Sequence, residues 1–126
     1  MAALIFEQAD LATRLAACDE AALDALDFGV IGFDADTLVN RYNAFESSAA
    51  GLAPQRVLGH PLFTVVAPCM NNFLVAQRFV EARDAGEPLD DIINYVLTLR
   101  MRPTKVKLRL VSAPSAALSY VLVHRL

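Results

Sequence analysis

Ile93-Asn94-Tyr95-Val96-Leu97-Thr98-Leu99-Arg100-Met101-Arg102-Pro103-Thr104-Lys105-Val106-Lys107-Leu108-Arg109-Leu110 alternates apolar and polar residues on both sides of a turn. Successive strand residues point to opposite faces, so Ile93, Tyr95, Leu97, Leu99 and Met101 share one face of a strand that begins near Leu89. Arg102-Pro103-Thr104 reverses the chain, and Val106, Leu108 and Leu110 form the apolar face of the next strand. Lys105, Lys107 and Arg109 occupy the alternate positions and read as its wet face, not as a phosphate-binding stripe. Ser119 to Leu126 closes the chain as a third strand. A sheet with one apolar face needs a cover, and the residues upstream supply it.

Asn71 or Asn72 can cap a helix that clusters Phe73, Val75, Ala76, Phe79 and Val80 on one face and stops at Ala85-Gly86, before Glu87-Pro88. From 47 to 65, Ser47-Ser48, Gly51, Pro54, Gly59 and His60-Pro61 punctuate the chain into several short helices. Asn43 followed three residues later by Glu46 has capping-box spacing, so a helix begins there. Tyr42 lies four residues before Glu46, so from the helix entrance both polar tips can converge on one point. Phe28 to Phe33 and Leu38 to Tyr42 flank the turn Asp34-Ala35-Asp36-Thr37 and form a hairpin. Residues 1–27 read as a lead-in of two short helices, one behind Asp10 with Leu11 and Leu15, one behind Asp19 with Ala22, Leu23 and Leu26. Neither persists alone, so both lean on the rest of the domain and form a candidate mobile element. The expected fold is α+β: a five-stranded antiparallel sheet flanked by short helices, with an N-terminal helical cap (1–27) before a core (28–126) in one domain.

Composition narrows the function. The 126 residues are 56% hydrophobic with a mean hydropathy of +0.40, yet no apolar run approaches the roughly 20 residues that cross a bilayer. The excess apolar surface must be packed inside, line a pocket or meet a partner. No basic region followed by a long apolar core stands at the amino terminus, so a cytoplasmic address is expected. Two cysteines and two histidines supply neither a disulfide framework nor a metal-ligand cluster. A net charge of −3 and a pI near 5.2 argue against nucleic acid as a partner.

Val65-Val66-Ala67-Pro68-Cys69 ends an apolar run in a stiff turn, because proline fixes its own φ and biases Ala67 away from helix. Such a turn suits a covalent attachment point and equally a buried, inert thiol. His60 with Cys69 lacks a third orienting residue, and His60-Pro61 is better read as turn punctuation. Glu46 taken alone can be the third residue of a capping box on a solvated face, Tyr42 a strand-end aromatic and Met101 filler on an inward face. Cys18 reads as a small contact between lead-in and core.

Phe28-Gly29-Val30-Ile31, Tyr42-Asn43-Ala44-Phe45-Glu46, Val66-Ala67-Pro68-Cys69 and Met101-Arg102-Pro103-Thr104-Lys105-Val106-Lys107, in this order and spacing, resemble the photoactive yellow protein family of bacterial blue-light receptors. The likeness runs from Phe6 to Leu126, with one extra residue between Gly86 and Tyr95. It implies a PAS-like fold and a p-coumaric acid (4-hydroxycinnamic acid) chromophore held as a thioester on Cys69. Its buried phenolate would accept hydrogen bonds from Tyr42 and from a protonated Glu46. It further implies trans–cis photoisomerisation, proton transfer from Glu46 and a loosened N-terminal cap as the signal, with Met101 serving dark recovery. Ile31, Val66, Ala67 and Pro68 fall in the matched pocket segments. Ala50 replaces the threonine that usually supports the tyrosine, and Leu52 replaces the arginine that usually lids the chromophore. No cation near the phenolate is evident as a result, and an altered colour or photocycle rate is expected. Leu62, Leu97 and Leu99 replace pocket aromatics. The implied protein is not an enzyme; it has a small-molecule chromophore, a downstream signalling partner, no membrane or nucleic-acid partner, and is a monomer or weak homodimer. The changed pocket leaves a second reading, a PAS-like ligand-binding or interaction module without the pigment. A cysteine-dependent enzyme is a third.

Overall fold

A computed structural model describes residues 4–98 and 103–126. Strands β1 (Gly29–Phe33), β2 (Val39–Tyr42), β3 (Leu89–Leu97), β4 (Thr104–Ser112) and β5 (Ser119–Arg125) form one antiparallel sheet in the order β2-β1-β5-β4-β3. The α+β expectation holds. Between β1 and β2, Asp34 Oδ1 accepts from Asp36 and Leu38 backbone N–H groups, while Thr37 takes a φ of 64°. Short polar side chains stabilise such turns through bonds of this kind.

One face of the sheet meets α3 (Ala44–Ala50), the short turns of 54–70 and α4 (Ala76–Ala85). Its core gathers Ile31, Val39, Tyr42, Leu62, Phe63, Val66, Phe79, Leu97, Val106, Leu108 and Val123, among others. Phe33 packs edge-on to both Phe63 and Phe79, at ring-centroid distances of 5.4 and 5.0 Å. Edge-to-face packing is the favoured arrangement for such rings.

The other face is covered as well, by the lead-in. Helices α1 (Leu11–Ala17) and α2 (Glu20–Asp24) place Leu11, Leu15 and Leu23 in a second core with Phe6, Val30, Val111, Tyr120 and Leu122. Asp19 caps α2 by accepting from Ala22 N–H, whereas Asp10 makes no cap bond and instead accepts from Arg14 Nε at 2.9 Å. Cys18 packs at the margin of this core.

Besides the missing Asp10 cap, two further expectations fail here. Arg109 is not on a wet face: it is 4% exposed, paired with Asp90 through Nε and Nη2 and donating to Phe6 and Gln8 carbonyls. The lead-in covers that face, so a cation at a polar-looking position becomes its anchor. The helix after Cys69 starts later than expected, at Ala76, because Asn72 Oδ1 caps an intervening turn by accepting from Leu74 and Val75 N–H groups. Phe73 lies in that turn and is exposed, Val80 turns away beside Phe79 on α4 and is exposed too, and Val75 and Phe79 carry the packing.

Candidate functional site

Tyr42 ends β2 opposite Ile31, and Asn43 starts α3 directly behind it. Asn43 is fully buried and uses its whole amide. Its Oδ1 accepts from Val30 N–H (2.9 Å) and Glu46 N–H (3.1 Å), and its Nδ2 donates to Leu23 and Phe28 carbonyls (2.9 and 3.0 Å). One side chain thereby locks the lead-in, β1 and α3 together, and fixes where Tyr42 and Glu46 point. Only half of the expected capping box forms, since Asn43 N–H donates to Val30 carbonyl and not to Glu46.

The Glu46 carboxylate is instead buried, at 2% exposure, which rules out a solvated helix face. It sits where β1 has no side chain: a Cβ on Gly29 would lie 2.0 Å from Glu46 Oε1. Arg125 reaches it from β5, donating Nη1 to Oε1 at 2.7 Å and Nη2 to Oε2 at 3.1 Å. Two parallel N–H···O bonds are the geometry of an arginine with an ionised carboxylate. Arg125 was missed by sequence reading, although the parity of Val121-Leu122-Val123-His124-Arg125 places it on the same face as Val121 and Val123. A cation therefore stands at this site from a strand end, where Leu52 had indicated none.

The Tyr42 hydroxyl is buried and has no hydrogen-bond partner among the described residues. Its pKa is pushed well above the ordinary tyrosine range, first by burial and then by the Glu46 carboxylate, with the Arg125 guanidinium opposing. The phenol keeps its proton and has nowhere to give it. Such an orphaned donor is rare in a folded interior, and it points to a missing acceptor.

Cys69 is a free, half-buried thiol on a single turn (Pro68–Met70), packed against the same core as Tyr42. Leu62–Val66 winds as one wide turn closed by Val66 N–H to Pro61 carbonyl (3.1 Å) and Ala67 N–H to Leu62 carbonyl (2.7 Å). Ala67 then leaves helical conformation at φ −138°, ψ 70°, as a residue before proline should. The Cys69 carbonyl accepts from the Tyr95 hydroxyl and from Asn72 Nδ2 (3.2 Å), so β3 clamps the turn from outside. From sequence, Asn72 reads as a helix cap and Tyr95 as a strand-face residue, but neither is assigned to this turn.

Ile31, Leu62, Val66, Ala67 and Leu97 belong to this core, Leu52 packs on it, and Ala50 is buried at the end of α3. Pro68 is exposed and acts through its backbone, not as a wall. Leu99 and Met101 lie outside the described residues. His60 is exposed on its turn.

No family model matches the chain. It is 33% identical over 120 residues to a photoactive yellow protein of Rhodothalassium salexigens, covering 95% of each chain. Its fold superposes with a TM-score of 0.81 on the photoactive yellow protein domain of the sensor histidine kinase Ppr from Rhodospirillum centenum, at 32% identity over 89% of this chain and 97% of that one. The PAS domain of BvgS from Bordetella pertussis shares the fold alone, with a TM-score of 0.59 at 15% identity over 93% of this chain and 85% of that one.

Proposed function

The chain belongs to the photoactive yellow protein family, and from that premise we propose that it is a blue-light receptor carrying p-coumaric acid as a thioester on Cys69. The unpartnered Tyr42 hydroxyl carries this reading: a proton-bearing phenol, buried in the core against which Cys69 packs, needs an acceptor that the described residues do not supply. The residues fit the group. Cys69 offers the sulfur, with its carbonyl held by Tyr95 and Asn72 so that the turn stays rigid. Tyr42 offers a hydrogen bond to an anionic oxygen, and Glu46 holds and releases a proton at its carboxyl. Ile31, Ala50, Leu52, Leu62, Val66, Ala67 and Leu97 exclude water. When bound, the pigment supplies a light-driven trans–cis isomerisation. Charging Glu46 draws it back to Arg125, and that rearrangement favours release of the element whose short helices persist only while docked. We take that element to be residues 1–27, loosened from the core of 28–126 as the signal to a downstream protein, with Met101 serving dark recovery. A cytoplasmic receptor without catalytic turnover is the consequence.

Arg125 on both oxygens of Glu46 favours a second reading, in which the same core takes a different small apolar ligand and carries no pigment. Reconstitution decides between them. The purified chain, treated with an activated ester of p-coumaric acid, should gain a visible absorption band that bleaches in light and is absent from Cys69→Ala. No adduct under native conditions would overturn the receptor, and turnover of a thioester probe would indicate an enzyme.

A further inference from the structure

Arg125 is the one residue bonded to the Glu46 carboxylate oxygens among the described hydrogen bonds, and it takes both. Its side chain is 19% exposed, so it spans from buried acid to solvent. Its backbone is held in register opposite Val106 on β4, so the guanidinium is delivered by the sheet. The charged groups that meet here are Glu46 and Arg125, with the Tyr42 phenol beside them.

We propose that Arg125 is a positioning residue that decides where the shared proton of this site resides, by claiming Glu46 as a carboxylate. This rests on the pigment reading above. A bound phenol and Glu46 have one proton between them. With the guanidinium on Glu46, the O–H bond at the carboxyl breaks more readily and the proton forms an O–H bond to the phenolate oxygen. Arg125 loses no proton, because guanidinium does not deprotonate in proteins. Seating the anionic form of the pigment therefore requires Glu46 to leave Arg125, and charging Glu46 returns it there. Arg125 does not take the place of the arginine lid that Leu52 removes. It acts on the proton donor.

Infrared difference spectroscopy of the pigment-free chain at neutral pH tests the assignment without any pigment. The parent should lack a protonated-carboxyl band from Glu46; Arg125→Gln should show one that disappears in Arg125→Gln/Glu46→Gln. Removing the cation that bonds both oxygens should raise the protonated share at least about tenfold. Arg125→Lys, which keeps the charge but not the fork, should restore the ionised state and guards against misfolding of the Gln variant. In the pigmented chain, Arg125→Gln should raise the ratio of long-wavelength, anionic pigment to short-wavelength, neutral pigment by a similar factor. A Glu46 carboxyl already protonated in the parent, or both variants spectrally equal to the parent, would overturn the proposal. Failure to form any adduct defeats the receptor reading and leaves the infrared result to judge Arg125 on its own.

Discussion

Tyr42 spends stability on a hydroxyl that bonds to nothing in the described structure. A buried polar group without a partner costs about 1–3 kcal/mol, which an apolar ring of the same shape avoids. Tyr42→Phe should therefore stabilise the pigment-free chain by about 1 kcal/mol in urea unfolding, while shifting the absorption band of any reconstituted adduct. A destabilised pigment-free variant would mean that the hydroxyl has a partner after all. The neighbouring carboxylate obeys the opposite rule. Glu46 is satisfied, but only because Gly29 vacates its position and Arg125 arrives from the far end of the chain. Buried ion pairs of this kind are weak evidence for stability, since desolvation offsets much of the attraction. Its place beside an orphaned phenol makes chemistry the better account of its presence.

At the scale of elements, arginines on the outer sheet face fasten the lead-in through its backbone. Arg109 on β4 donates to the Phe6 and Gln8 carbonyls before α1, and Arg41 on β2 donates to the Leu15 and Cys18 carbonyls at its end. Helices of seven and five residues have little stability of their own, so these bonds and the leucines beneath them hold the segment. Arg109→Met removes donors worth about 1.5–3 kcal/mol as charged hydrogen bonds. Backbone amides in the lead-in should then exchange at least about tenfold faster, with β4 and β5 amides unchanged. Uniform acceleration across the sheet would instead place Arg109 in the global fold. That a positive residue in a Lys-Val-Lys-Leu-Arg alternation is buried could not be read locally, because what covers it lies about a hundred residues away in sequence.

At the scale of the whole molecule, the described residues form one sheet with a core on each face. The inner core holds the candidate site, and the outer core is built between the sheet and the lead-in. Removing residues 1–27 should uncover Phe28, Val30, Val111, Tyr120 and Leu122 as one apolar surface, giving dye binding and concentration-dependent association. A truncated chain that stays monomeric and dye-silent would show that the outer core is dispensable. The order and kind of the elements were legible beforehand, because strand alternation, turn residues and proline act over a few positions. Asp19 and Asn43 cap as their spacing implied, and Gly86 ends α4 at a φ of 66°. The exposure of Phe73 was not legible, because a capping asparagine shifted the helix start. By itself, then, the sequence determined the strands, the short helices, the stiff turn before Cys69 and the family, all written in local spacing. Tertiary structure alone decided that Arg109 lies under the lead-in and that Glu46 meets Arg125, 79 positions away. Those pairings depend on a strand order that sets β5 between β1 and β4, and no local periodicity encodes that order.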